Sequence, residues 1–215
     1  MFYTLNSNNY LTFQKNGYTI KNSSKDINWC IRCAYTDTAR TAKGIQNYKQ
    51  KIYNIMTDFI INKLPFSYSQ CIFNKAFSYI AAQLTTQCQL HYGQAQKIIN
   101  MSLKYLYNEI MLGNKMTFFD HCIKNTICDF FHMPIDSIIL EKLKSVPISF
   151  EDKITKIKGT WKYQGYPWSQ LPKKLYWDFV IDINKELMPG IKPLEAEYHT
   201  WKNPNPQTLK RYIYK

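Results

Sequence analysis

Apolar side chains recur at every third or fourth position from about residue 47 onward, which is the spacing of one face of an α-helix. Seven glycines in 215 residues are few for a hairpin-rich β protein. We therefore predict an all-α fold: a compact helical domain with either one core or two small lobes that share a cleft. The predicted stripes are Tyr48, Ile52, Ile55, Phe59 and Ile60, ended by Pro65; Phe73, Phe77, Ile80, Leu84 and Cys88; Ile99, Leu103, Leu106 and Ile110, ended by Gly113; Phe118, Phe119, Ile123, Ile127 and Phe130; and Leu175, Phe179, Ile183 and Leu187.

The whole chain, residues 1–215, is expected to form a single domain. Residues 1–46 contain clusters of Asn and Ser and are predicted to be an irregular N-terminal segment. Residues 70–145 form the helical centre, and residues 146–215 hold a long loop followed by the C-terminal helices. The loop displays four lysines, namely Lys153, Lys156, Lys158 and Lys162.

The chain is strongly basic. Lys and Arg total 28 against 15 acidic residues, so the net charge is +13 and the pI is near 9.4. Such an excess repels itself in the free protein and is typical of proteins that bind a polyanion. Codon usage in an AT-rich genome, which favours Lys, Asn, Ile and Tyr, is the alternative source of the same composition. We expect nucleic acid as the partner, and DNA ahead of RNA.

The type of basic residue indicates how that partner is bound. Only three of the 28 are arginines, Arg32, Arg40 and Arg211. Lysine contacts phosphate as a point charge, whereas the arginine fork reads guanine edges, so this composition favours backbone contacts over base readout. Aromatic residues make up 16% of the chain. Most are expected in the core, with Trp161, Trp168, Trp177 and Trp201 as a C-terminal group of which one could stack on a base.

The start of the chain, Met1–Asn6, has no basic segment followed by an apolar one, so no secretory signal is predicted. No run approaches the ~18 apolar residues that cross a bilayer. We therefore expect a cytoplasmic protein without membrane association, whose six cysteines are reduced thiols.

Zinc binding is an alternative role for some of these cysteines. Cys30 and Cys33 form a Cys-x-x-Cys pair, but a second pair at zinc-finger spacing is missing. Buried thiols are more common than such ligands, and we predict neither a metal nor an organic cofactor. The further residues of ligand type are His121, Cys122, Cys128 and His132.

A short break between the second and third predicted helices carries a motif. From Leu90 to Lys97 it has the sequence LHYGQAQK. This segment resembles the helix-hairpin-helix of the DNA glycosylase superfamily, which runs apolar-Pro-Gly-apolar-Gly-x-Lys. Gly93 matches the first glycine, Ala95 the second, and Lys97 the lysine. The family's downstream Val-Asp segment, which carries an essential aspartate, is similar to PIDS at residues 134–137.

The resemblance is nearest to the archaeal-type 8-oxoguanine DNA glycosylases and covers about residues 70–145. It implies Lys97 as the nucleophile that forms a Schiff base with the sugar, and Asp136 as the catalytic carboxylate. The substrate would be double-stranded DNA with one base flipped out, bound by a monomer. The implied DNA-binding residues are Gly93, Gln94 and Ala95 at a phosphate, His91 at a phosphate or the flipped base, and Lys104, Lys153, Lys156 and Lys158 as electrostatic attachments.

Three departures from the family pattern accompany the match. Tyr92 replaces the proline, Ala95 replaces the second glycine, and 39 residues separate Lys97 from Asp136. Each candidate also has a simpler role. Lys97 could lie on a solvated helix face with Asn100, Lys104 and Asn108, and Asp136 could serve only as the N-cap of a short helix over residues 137–143.

We predict a DNA glycosylase or glycosylase/lyase that removes a modified or damaged base, either in repair or in attack on modified phage DNA. One alternative is a non-enzymatic DNA- or RNA-binding protein of a phage or mobile element. Another is an inhibitor whose basic surface docks on an acidic protein partner. Strong salt dependence of DNA binding favours the first two, and a catalytic requirement for Lys97 favours the first alone.

Overall fold

The computed structural model describes residues 26–40, 44–111, 127–143, 167–187 and 190–202. Within these ranges it has seven α-helices and no β-strand, which confirms the predicted all-α class. None of the described helices is long and apolar enough to cross a bilayer. The helices are α1 (Ile27–Ala39), α2 (Lys49–Asp58), α3 (Gln70–Cys88), α4 (Tyr92–Met111), α5 (Ser137–Leu143), α6 (Lys173–Glu186) and α7 (Pro193–Lys202).

Helix α4 is the centre of the fold. Helices α1, α3 and α6 pack against it, as does the short 3₁₀ turn Trp168–Gln170. Every residue from 93 to 110 except Met101 is buried. The expectation that Lys97, Asn100, Lys104 and Asn108 form a solvated face is therefore wrong, because this polar face is covered by other parts of the chain.

The N-terminal region contains a helix that the sequence analysis missed. Irregular structure was predicted through residue 46, but Ile27–Ala39 is α-helical. Asp26 caps it by accepting a hydrogen bond of 2.8 Å from the Trp29 amide. The helix buries one face against α4, with the side chains Cys30, Ile31, Ala34, Tyr35 and Thr38.

The next two helices follow the predicted stripes. In α2 and the π-helical turn after it, Ile52, Ile55, Phe59 and Ile60 are buried as expected. A 3₁₀ turn, Leu64–Phe66, contains Pro65 and ends this stretch. Helix α3 then begins at an N-cap, Ser69, whose hydroxyl accepts from the Ile72 amide at 3.3 Å.

The fourth predicted stripe lies mostly outside the described residues, which omit 112–126. Its last part, Ile127–Phe130, is a 3₁₀ turn where an α-helix was predicted. Residues 131–136 then form a buried segment without regular secondary structure. Asp136 caps α5 as predicted, since Oδ1 accepts from the amides of Ile138 and Ile139, both at 3.0 Å.

Candidate functional site

The connection between α3 and α4 is short. Helix α3 ends at Gln89, which adopts the left-handed conformation with φ 53°. The amides of Gln94 and Ala95 both donate to the carbonyl of His91 at 3.0 Å, and the Gln94 side chain accepts from the His91 amide at 2.9 Å. These contacts close the first turn of α4. The Gln94 and Ala95 amides are therefore already hydrogen-bonded within the protein.

Gly93 lies directly under the Trp168–Gln170 turn. A Cβ atom at this position would stand 1.9 Å from the Trp168 carbonyl oxygen and 2.9 Å from the Leu171 amide nitrogen. The resemblance implied that Gly93 contacts a DNA phosphate. The structure gives that space to the chain's own backbone, so glycine is required here for internal packing.

The other implied DNA-binding residues differ in their exposure to solvent. Gln94 and Ala95 are buried, whereas His91 is exposed. Lys104 is buried as well, and its Nζ lies 2.7 Å from Glu197 Oε1. The predicted phosphate contacts of Gly93, Gln94, Ala95 and Lys104 therefore find no support in this arrangement. Lys153, Lys156 and Lys158 lie outside the described residues.

The two implied catalytic residues do come together. Lys97 Nζ lies 3.7 Å from Asp136 Oδ2, although 39 residues separate them in the chain. Both side chains are largely buried, with 11% and 12% of their surfaces exposed. Asp136 uses one carboxylate oxygen to cap α5 and turns the other towards Lys97.

Gln96, which precedes Lys97 in the chain, fixes the contact between Lys97 and Asp136. The Gln96 amide group donates to the Ile135 carbonyl at 2.8 Å and accepts from the Ile135 amide at 3.3 Å. It thus pairs with the backbone on both sides, much as a neighbouring β-strand would. Because Asp136 follows Ile135 directly, this pairing sets the carboxylate opposite the first turns of α4.

A neutral hydrogen-bond network continues from Gln96. Asn100 Nδ2 donates to Gln96 Oε1 at 3.0 Å and to the Tyr176 hydroxyl at 3.1 Å. Tyr176 in turn lies 2.7 Å from His132 Nδ1, and His132 Nε2 lies 3.0 Å from Asn74 Oδ1. Burial lowers the pKa of His132 to about 3, so the imidazole is neutral and both of its nitrogens serve the network.

Trp168 completes the surroundings of Lys97. Lys97 Nζ lies 4.4 Å from the centroid of the Trp168 ring, which is within the range of a cation–π contact. No hydrogen bond from Lys97 Nζ is found among the described residues. The sequence analysis placed Trp168 in an aromatic group without linking it to Lys97, because residues 71 positions apart show their contact only in the folded chain.

The two lysine–carboxylate pairs of α4 influence one another. Burial raises the pKa of Glu197, the nearby Lys104 ammonium opposes this rise, and the charges of Asp136 and Lys97 also act on it. Lys97 and Lys104 are seven residues apart, two turns along the same face of α4. The result is a buried group of four opposed charges that sequence reasoning found only in part, because Glu197 had no role assigned.

Among the described residues, the cysteine and histidine candidates for zinc do not come together. No group of three metal-ligating residue types is found among the described residues, which exclude His121 and Cys122. Cys30 is buried in α1, and His132 is engaged with Tyr176 and Asn74. Burial raises the pKa of Cys128 to about 12, so its thiol is protonated at neutral pH.

Comparison with known proteins gives no relative: no protein-family model, no curated protein and no solved structure matches this chain.

Proposed function

We propose that this protein is a DNA glycosylase or glycosylase/lyase in which Lys97 is the nucleophile and Asp136 the catalytic carboxylate. The observation that supports the proposal is the 3.7 Å approach of Lys97 Nζ to Asp136 Oδ2. The hairpin resemblance implied these two residues, and the fold brings them together across a long interval. A net charge of +13 suits a DNA substrate.

The proposed chemistry uses groups that the site contains. Lys97 must first lose a proton, and the Asp136 oxygen 3.7 Å from its amine is the acceptor in this proposal. The free amine then attacks C1′ of the deoxyribose, a bond forms between Nζ and C1′, and the glycosidic bond breaks as the base leaves with its electron pair and takes up a proton. Ring opening gives a protonated imine, which β-elimination of the 3′ phosphate can follow.

The described arrangement changes where DNA would bind. The hairpin backbone is covered by the Trp168–Gln170 turn, so contact with a phosphate at Gly93 is not part of the proposal. Instead, Lys97 keeps a small exposed fraction beside Trp168, and the aromatic ring can border a flipped base. We place the reaction in the cytoplasm, where the six cysteines would stay reduced.

A second candidate is a basic DNA-binding protein without catalysis. One observation favours it: Lys104 and Glu197 form a second buried pair on the same helix. A buried Lys–carboxylate contact can thus serve the fold alone, and Lys97 with Asp136 could be another such contact.

The experiment that separates the two candidates is borohydride trapping on a panel of DNA duplexes. The panel carries an abasic site, 8-oxoguanine, uracil or a hypermodified pyrimidine. Borohydride reduces the imine to a stable secondary amine, so a covalent protein–DNA band reports the Schiff base. We expect this band with wild type on at least one duplex and its loss in Lys97→Gln.

Lys185→Gln is the matched control, because Lys185 is an exposed lysine near the end of α6. It should form the adduct as wild type does. If wild type forms no adduct and releases no base from any duplex, although Lys97→Gln and wild type bind DNA equally, the protein is a binding protein and the catalytic proposal is wrong.

A further inference from the structure

Two aromatic side chains project from the turn that joins α2 to α3. Phe66 is 69% exposed and Tyr68 is 76% exposed, the highest values among the large hydrophobic side chains of the described residues. A Phe or Tyr stabilises a fold mainly by burying its ring, and these two rings stay in water. Adjacent exposed aromatic residues of this kind mark an interaction surface.

The backbone between the two rings is anchored. Ser67 is fully buried, its amide donates to the Leu64 carbonyl at 3.0 Å, and its hydroxyl donates to the Lys63 carbonyl at 3.2 Å. On the other side, Ser69 caps α3. The rings are therefore held outward by a fixed turn, and binding through them would order little additional backbone.

The charged residues along this stretch of the chain have one sign. No Asp or Glu occurs between Asp58 and Glu109. Lys63 precedes the turn and is exposed, and Lys75 is exposed on α3. Tyr79, one helical turn after Lys75, is 55% exposed. Exposed aromatic rings and exposed lysines on one stretch of chain that contains no acidic residue are the combination that binds single-stranded nucleic acid by stacking and phosphate contact.

We propose that Phe66 and Tyr68 stack on unpaired bases of a nucleic-acid strand, while Lys63 and Lys75 contact its phosphates. The inference relies on the proposed function only for the class of partner. It assigns a stacking surface that is separate in sequence from Lys97 and Asp136. Stacking of this kind tolerates any sequence, because every base offers a π face.

The test measures binding of a fluorescent twelve-nucleotide oligo-dT by anisotropy at low salt. Stacking of bases on aromatic rings contributes much of the affinity for a single strand, so Phe66→Ala/Tyr68→Ala should bind at least about tenfold more weakly than wild type. The conservative variant Phe66→Tyr/Tyr68→Phe should bind as wild type does. Ile181→Ala, on α6, is the control for loss of an exposed apolar side chain, since Ile181 is 50% exposed.

Three results would overturn the inference: no binding of oligo-dT by wild type, equal binding by the double alanine variant, or an equal loss in Ile181→Ala. A double variant that changes only self-association would also overturn it and would point to a protein contact. The failure of the proposed function is distinguishable. Borohydride trapping at saturating abasic DNA depends on Lys97 and should survive in the double alanine variant.

Discussion

The two ion pairs of α4 each join a lysine to a carboxylate, and they differ in geometry. Lys104 donates a hydrogen bond to Glu197 at 2.7 Å, and the Glu197 side chain is 2% exposed. Lys97 lies 3.7 Å from Asp136, whose side chain is 12% exposed, and contacts the face of Trp168. The first pair has the tight, dry geometry of a structural contact. In the second, the amine donates no hydrogen bond among the described residues. Both lysine side chains are 11% exposed, so the pairs differ in the carboxylate and in the hydrogen bond and not in the exposure of the amine.

The largest expected effect is the loss of stability when Lys104 is replaced. Lys104→Met would leave Glu197 buried without its charge partner, which typically costs about 3–5 kcal/mol. Glu197 Oε2 already lacks a hydrogen-bond partner in the described structure, so little can replace Lys104. Urea unfolding should show the loss, and Lys97→Met should cost much less. Equal losses would mean that both pairs are structural.

Gly93→Ala should be the next most damaging change. The added Cβ would meet backbone atoms of Trp168 and Leu171, which cannot move aside as a flexible side chain can. Overpacking of this kind costs about 1–3 kcal/mol, and we expect the upper end. Thermal unfolding measures it, with Gly44→Ala as the control for a glycine in open space but at positive φ. A neutral Gly93→Ala would show that the Trp168 turn does not pack here.

Acid should destabilise the fold through His132, which belongs to the hydrogen-bond network that continues from Gln96. The folded pKa of His132 is about 3, below its ordinary 6.5, so the unfolded chain binds more protons between these values and stability falls as the pH falls through this range. From pH 7 to pH 5 the loss is about 2 kcal/mol. The unfolding free energy of wild type should fall accordingly, and that of His132→Gln should fall less. An identical pH dependence in both would contradict the role of His132.

The smallest expected effect on stability separates the two tasks of Asp136. Asp136→Ala loses the N-cap of α5 at a cost of about 1 kcal/mol. Asp136→Asn keeps an oxygen for the cap but removes the charge next to Lys97, so it should be nearly as stable as wild type while forming adduct more slowly. Chemical unfolding and trapping rates measure the two effects. If Asn traps DNA at the wild-type rate, the carboxylate charge is not catalytic.

The helical periodicity predicted most of the described helices, because apolar residues at this spacing lie on one face, and can be buried together, only in an α-helix. Helix α1 was missed because an Asn- and Ser-rich stretch precedes it and the polar residue Thr38 lies on its buried face. The polar face of α4 looked solvated because its partners, Ile135 and Tyr176, lie far along the chain.

Two residues of the candidate site were implied by the sequence, and their surroundings were not. The hairpin resemblance implied Lys97 and Asp136, and the structure adds the reason for their contact, which is the pairing of Gln96 with Ile135. A role for Gly93 was also predicted. The reason for a glycine at this position was not predicted. The sequence around Gly93 looks the same whether the glycine leaves room for a phosphate or for a distant turn of the same chain.

The most direct test of the account is to map the borohydride adduct on an abasic-site duplex, where no base specificity is needed. The protein is rich in lysine, so the band must be digested and the modified residue identified by mass spectrometry. We expect the adduct on Lys97 in wild type and in Lys104→Gln, and no adduct in Lys97→Gln. Adducts spread over exposed lysines, or an undiminished band in Lys97→Gln, would contradict the assignment of Lys97 as the nucleophile.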